Sequence, residues 1–211
     1  MFRKKIYAGL LAAALTVTSL FANTVTARAE ESWPGGIDTQ SAAAIVMEQE
    51  TGAILYEKNI HATYYPASIT KILTALVALE NSSLDEVVTF SKDAVYLNEG
   101  DSSHISRDVG EQMTMEQCLY GMLLESANEC AYAIAEHVGG GDVNVFVDMM
   151  NQKAAELGCQ DSHFNNTNGL PDENHYVSAY DMALISRAAY QNPTFAKIIG
   201  TESYQIPPTN T

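Results

Sequence analysis

The pattern of apolar and polar positions divides the chain into two regimes. Residues 43–47 (AAIVM) and 53–57 (AILYE) are short apolar runs on either side of Glu50, Thr51 and Gly52, which reads as a β-hairpin with its glycine at the turn. A lone hairpin is marginal in water, so this one needs further strands or a helix against it. From Pro66 the character becomes helical, and residues 69–79 are apolar nearly all round, as in a helix buried on every side. Residues 83–110 are polar and broken, with short strands expected at 87–90 and 104–106. Helices are expected over 114–124 and 128–138, separated by a break at Glu125, Ser126 and Ala127 and stopped by Gly139, Gly140 and Gly141. Residues 144–157 form another amphipathic helix, closed by Gly158 in the C′ position. A loop rich in Asn and Gly covers 165–176. Ser178, with Asp181 three residues on, resembles a capping box with Asp in place of Glu and opens a helix to about residue 190. Residues 201–206 read as the start of a strand. The pattern therefore describes a predominantly helical lobe and a small, unfinished sheet.

The first 29 residues bear on where the protein goes. Arg3, Lys4 and Lys5 form a basic n-region, an apolar stretch follows, and Ala27, Arg28 and Ala29 make an A-x-A-like cleavage site, so residues 1–29 read as a secretory signal peptide. The apolar run is broken by Thr16, Thr18 and Ser19 and falls short of the ~20 residues that a membrane span needs. The expectation is an exported, extracytoplasmic protein that begins at Glu30, with no membrane anchor encoded in the residues shown. Formal net charge is −15 over the 211 residues, and the expected leader carries only cations, so the remainder is more acidic still. Such a polyanion is repelled by phosphate backbones and anionic lipid, which argues against a nucleic-acid partner. Cys118, Cys130 and Cys159 are an odd number in an exported chain, so at most one disulfide can form. Their spacing fits no zinc motif, and small buried thiols are the simpler reading. None of His61, His104, His137, His163 or His175 falls in an H-E-x-x-H or triad-like context, so neither a metal nor any other cofactor is expected.

One residue disturbs the helical pattern. Lys71 stands in the first turn of the apolar helix, three residues after Ser68, in YPASITKILTALVAL. Ser68 is open to reading as an N-cap and Lys71 as a solvated first-turn residue. Against that, a cation here faces the positive end of the helix dipole, and its neighbours leave no polar face to escape to. Dipole and desolvation both disfavour the ammonium, which is what a lysine needs in order to act as a base toward a serine hydroxyl. S-x-x-K alone is a weak signal, expected by chance about once in a chain of this size. Ser126 and Asn128 lie in the interhelical break, either as caps of the following helix or as side chains aimed into a cleft. In the second case the hydroxyl can pass a proton to a leaving amine, and the amide can bind a peptide carbonyl.

S-x-x-K followed by S-x-N resembles the signature of penicillin-binding proteins and class A β-lactamases, which continues with K-T-G. Over about residues 42–206 the chain is more specifically similar to the low-molecular-weight D-alanyl-D-alanine carboxypeptidases. The blocks that carry this, in order, are TGAILYEKN, YPASITKILTALVALE, GEQMTMEQCLYGMLLESANECAYAIAEHVGG, FVDMMNQKAAELG, FNNTNGL and SAYDMA. The resemblance implies a penicillin-binding/β-lactamase-like transpeptidase fold of the α+β class, an antiparallel sheet packed on helices with a helical lobe. It implies Ser68 as the nucleophile that forms an acyl-enzyme, Lys71 as its base, Ser126 as proton relay and Asn128 as substrate-binding amide. The implied substrates are peptidoglycan stem peptides ending in D-Ala-D-Ala, with β-lactams as covalent inhibitors of Ser68. A β-lactamase would need an acid before the last helix, where Asp172 and Glu173 stand, and a non-catalytic penicillin- or peptidoglycan-binding fragment is the third reading.

Two departures from the family pattern stand out. Ala127 occupies a position that commonly holds Gly, a small change. No Lys or His is followed by Thr-Gly or Ser-Gly, so residues 30–211 are expected to be the N-terminal portion of the catalytic domain without the K-T-G strand. In the family that strand supplies a wall of the cleft and part of the oxyanion hole, whose donors contribute about 3 kcal/mol each. The 211-residue chain by itself is therefore expected to label poorly with a fluorescent penicillin; stoichiometric labelling of the purified chain contradicts this.

Overall fold

A computed structural model describes residues 39–97 and 102–210. The expected signal peptide and lead-in lie outside the described residues. Helix α1 (Thr70–Asn81) is the element around which the others gather, because its apolar residues cover almost its whole circumference. Leu73, Ala75, Leu76, Val77 and Ala78 are all buried, and helices later in the chain pack on every side of it. A short 3-10 turn (Ala67–Ile69) leads into it, and no side chain caps the junction.

The expected hairpin forms as β1 (Ala44–Met47) and β2 (Ile54–Lys58), antiparallel, with a register shift after Val46. Gly52 has φ +76°, the left-handed conformation that this turn requires and that glycine adopts without strain. The Glu48 carboxylate takes the Thr51 hydroxyl and the N–H groups of Glu50 and Thr51, and these bonds hold its pKa down at about 2. The partner that a lone hairpin needs is helix α6 (Ala179–Gln191), which packs on β1. Its Arg187 donates to the carbonyls of Gln49 and Glu50 at 2.6 and 2.7 Å.

The lobe is built as expected around α3 (Met115–Leu124), α4 (Asn128–Val138) and α5 (Val143–Glu156). Thr114 and Gln117 form a reciprocal capping box at the start of α3. Strand β4 (Val87–Thr89) forms, but its partner is β5 (Gln112–Thr114) and not residues 104–106. The reason lies in side chains that take over the backbone there. The Ile105 N–H donates to Glu129 Oε1 at 2.6 Å, its carbonyl accepts from Arg107, and Ser106 turns to φ +58°, so no ladder continues through it.

Two short helices were not legible as such: α2 (Lys92–Tyr96), capped by Ser91, and α7 (Pro193–Ile199), capped by the Asn192 side chain with Pro193 at its first position. Residues 201–206 do not form a strand; Tyr204 stacks on Tyr120 with ring centroids 3.8 Å apart. The two remaining strands, β3 (Thr63–Tyr64) and β6 (Val177–Ser178), pair just before α1 and just before α6. Among the described residues the strands thus form three separate two-stranded ladders, in keeping with the α+β class.

The expected capping box at Ser178 is only half formed. Ser178 Oγ accepts from the Asp181 N–H, but the Asp181 carboxylate turns away from the cap. It is fully buried and accepts from the N–H groups of Gln160 and Asp161 and from Ser162 Oγ at 2.7 Å, tying the end of the α5 connection to α6. Removing a buried charged acceptor strands its donors. Asp181→Ala is expected to lower stability by about 3 kcal/mol in urea denaturation, with little change in m; a loss below about 1 kcal/mol contradicts the assignment.

Candidate active site

Lys71 is the second residue of α1, with its side chain pointed into the protein and only 2% exposed. Its Nζ donates to Asn128 Oδ1 at 2.7 Å, to the Asn168 carbonyl at 2.8 Å, to Ser68 Oγ at 3.1 Å and to Ser126 Oγ at 3.3 Å. Ser126 Oγ donates to Ser68 Oγ at 3.0 Å. The four residues singled out in the sequence therefore meet at one ammonium. Ser68 serves as no N-cap, and α4 has Ala127 at its N-cap position with no side-chain bond, so neither Ser126 nor Asn128 is used as a cap.

The local backbone explains how. After α3, Ser126 adopts φ +58°, which turns its hydroxyl back toward α1; Ala127 returns to extended backbone, and the Asn128 N–H is taken by the Ser103 carbonyl at 2.9 Å. Ala67, just before Ser68, adopts φ +51°. Left-handed conformations at non-glycine residues cost of order 1–3 kcal/mol and persist only where the surroundings over-determine them. Here they bracket both hydroxyls.

Burial pushes the Lys71 amine down from 10.5 to about 8, against a smaller opposing pull from Glu129 and Cys130. About one molecule in ten then carries the neutral amine at pH 7. The acceptor types matter as much as the pKa. Asn128 Oδ1 and the Asn168 carbonyl can only accept, and they make the two short bonds. A neutral amine that gives its two N–H bonds to them turns its lone pair toward the hydroxyls of Ser68 and Ser126. Asn128 is 4% exposed and commits its oxygen to Lys71, which leaves the NH2 group as the donor end of the side chain.

Sequence reasoning missed Asn168. The Asn- and Gly-rich loop forms the floor of the site, tied to α1 by the Asn168 carbonyl on Lys71 and by the Thr167 carbonyl, which accepts from Thr74 Oγ1 at 2.7 Å. The Asn168-Gly169 dipeptide was its signal, since such pairs favour positive φ. Gly169 has φ +91°, and a Cβ there would fall 1.8 Å from the Ala67 carbonyl oxygen, so the loop packs directly beneath the turn that presents Ser68. Ser68 itself is exposed at the edge of a cavity of about 410 Å³ that also holds Lys71 and Ser126, with Ile72, Leu123 and Phe195 on its apolar side. A separate groove of about 520 Å³ between β1 and α6 contains neither serine. The three thiols are free, Cys118 and Cys130 fully buried and Cys159 partly so.

A buried lysine within hydrogen-bonding reach of an exposed serine, with a second serine bridging them on a mixed helix and sheet scaffold, is an arrangement suited to serine–lysine acyl transfer. The chain belongs to the D-alanyl-D-alanine carboxypeptidase family (peptidase S11), whose match covers residues 25–208. It is 34% identical over 202 residues to the D-alanyl-D-alanine carboxypeptidase DacF of Bacillus subtilis, a match covering 94% of this chain and 51% of that protein. Its fold is similar to that of the Streptomyces K15 DD-transpeptidase (TM-score 0.74, 32% identity, 80% of this chain and 68% of that one). It is also similar to the D-alanyl-D-alanine carboxypeptidase DacD of Francisella tularensis (TM-score 0.73, 34% identity, 79% of this chain and 41% of that one). The chain spans about half the length of the curated relatives it matches.

Gly169→Ala combines a forbidden contact with a strained φ. It is expected to cost about 3 kcal/mol or more and to reduce penicillin labelling of Ser68 in the full-length protein. An unchanged denaturation midpoint with unchanged labelling contradicts the close approach.

Proposed function

We propose that this protein is a serine-type D-Ala-D-Ala carboxypeptidase of the cell envelope, which removes the terminal D-Ala from peptidoglycan stem peptides through an acyl-enzyme on Ser68. The observation that carries this reading is the contact of the desolvated Lys71 Nζ with both Ser68 and Ser126, while Asn128 Oδ1 and the Asn168 carbonyl take its two shorter hydrogen bonds. Neutral Lys71 takes the proton of Ser68, and Oγ attacks the carbonyl carbon of the penultimate D-Ala. The Asn128 amide donates to a carbonyl of the peptide. Ser126 passes the proton from Lys71 to the leaving amine, and D-Ala departs. Water then attacks the acyl-enzyme with the same lysine as base, which restores Ser68. β-Lactams enter by the first half of this sequence and remain on Ser68 as inhibitors.

The leader-like residues 1–29 support export, and an exported enzyme of this kind would meet peptidoglycan and serve cell-wall biogenesis and cell shape. The two acids on which a β-lactamase reading rests do not single it out. Asp172 uses Oδ1 to accept from the Asn174 N–H at 2.7 Å, and Glu173 is exposed.

In the full-length protein, Ser68→Ala is expected to abolish both D-Ala release from a D-Ala-D-Ala peptide and covalent penicillin labelling. Lys71→Arg, whose guanidinium stays protonated, is expected to lose about a hundred-fold or more in kcat while the protein still folds. Retention of either activity by Ser68→Ala removes the nucleophile assignment.

A further inference from the structure

His175 lies outside the cavity and plays no part in the chemistry described above, yet it is among the most deeply buried polar side chains, 1% exposed. Its ring edge stands against Phe164, centroids 5.7 Å apart at 86°. Nδ1 accepts from two successive backbone N–H groups, Asn165 at 2.9 Å and Asn166 at 3.2 Å. A nitrogen that accepts carries no proton, so the proton is on Nε2, which donates to Thr70 Oγ1 at 2.8 Å. Thr70 is the residue immediately before Lys71. One imidazole thus joins the start of the floor loop to the turn of α1 that carries the lysine.

The loop carries this fixation to the site. The Asn166 side-chain oxygen accepts from the N–H groups of Asn168 at 3.3 Å and Gly169 at 2.7 Å, while its NH2 donates to the Leu170 carbonyl at 2.8 Å. These bonds set the peptide whose carbonyl holds Lys71. We infer that His175 is a positioning residue for the acyl-transfer reaction: as a neutral Nε2–H imidazole it holds the Asn168 carbonyl against Lys71 and so directs the lysine lone pair at Ser68. This rests on the reading of Lys71 as the base.

The neutral form is what the surroundings favour. Burial holds His175 down at about 4, with Asp172 pulling the other way and His163 reinforcing the shift. Lys71 is faced by Glu129 and Cys130 from α4, and neither contacts His175 in the hydrogen bonds that fix the ring. Loss of the His175 tie acts on Lys71 in two opposed ways: a displaced Asn168 carbonyl is an acceptor lost to the ammonium, and solvent admitted beside the buried amine relieves the desolvation that is the largest cause of its lowered pKa, so the net movement is upward.

The test is the pH profile of penicillin acylation in the full-length protein, for the native sequence, His175→Ala and His175→Asn. The native rate is expected to rise through about pH 8, the value to which burial brings Lys71. In His175→Ala the midpoint should move up by about one pH unit, toward the ordinary lysine value, with KM for the peptide changed less than about threefold. His175→Asn, whose side-chain oxygen can still accept from the loop amides, should recover part of the shift. A rate reduced by one factor at every pH, with an unmoved midpoint, means a purely structural histidine and overturns the inference. Should His175→Ala fail to fold, nitrogen NMR of the native ring decides: a neutral Nε2–H tautomer persisting below pH 6 supports the inference, and an Nδ1–H tautomer or a titration near 6.5 overturns it. Ser68→Ala run in parallel keeps the two readings apart, because labelling that survives it indicts the nucleophile and not the histidine.

Discussion

An ammonium group with three N–H bonds is held in this protein among four oxygens, on a side chain only 2% exposed. Two of the oxygens are carbonyls that can only accept, and two are hydroxyls that can also give up a proton. The difference decides the chemistry. When Lys71 loses a proton, the carbonyls retain its remaining N–H bonds and the lone pair faces the serines. Desolvation makes that loss accessible near neutral pH, where a solvated lysine would remain charged. Neither effect suffices alone, since a dry lysine aimed elsewhere is inert and a well-aimed one in water is protonated.

Everything near the site serves that arrangement. Helix α1 is buried all round so that its first turn can be dry; the break between α3 and α4 turns Ser126 inward at a positive φ; the floor loop supplies a carbonyl and fits beneath Ala67 because residue 169 has no side chain. Backbone strain at Ala67 and Ser126 is tolerated because packing on both sides leaves no other position for those turns. The hairpin, distant from the chemistry, is fixed by Arg187 of α6 to the same framework.

Much of this was legible in the amino-acid order. A lysine in an apolar first turn is anomalous on electrostatic grounds, and the S-x-x-K and S-x-N spacings led to the same four side chains that the fold brings together. Periodicity located α1, α3, α4, α5 and α6 because each carries a long apolar face. What periodicity cannot reach is structure held by side chain to backbone bonds. Residues 104–106 have strand-like composition, but Glu129 and Arg107 take their backbone groups; α2 and α7 are too short for a period and rest on the Ser91 and Asn192 caps. Asn168 acts through its carbonyl, which every residue possesses, so its side chain does not mark the role, and only the Asn168-Gly169 pair hints at the turn that presents that carbonyl. Asp181 was read as half of a cap by its spacing from Ser178, whereas its carboxylate is directed at a connection 20 residues earlier in the chain.

The most direct measurement is the ionisation of Lys71 itself. With the lysines enriched in 15N, a pH titration of the Lys71 Nζ resonance in the full-length protein, assigned by its loss in Lys71→Arg, should give a midpoint of about 8. A midpoint near the ordinary value of 10.5 would mean that the amine is solvated and charged, and the site described here would have no base.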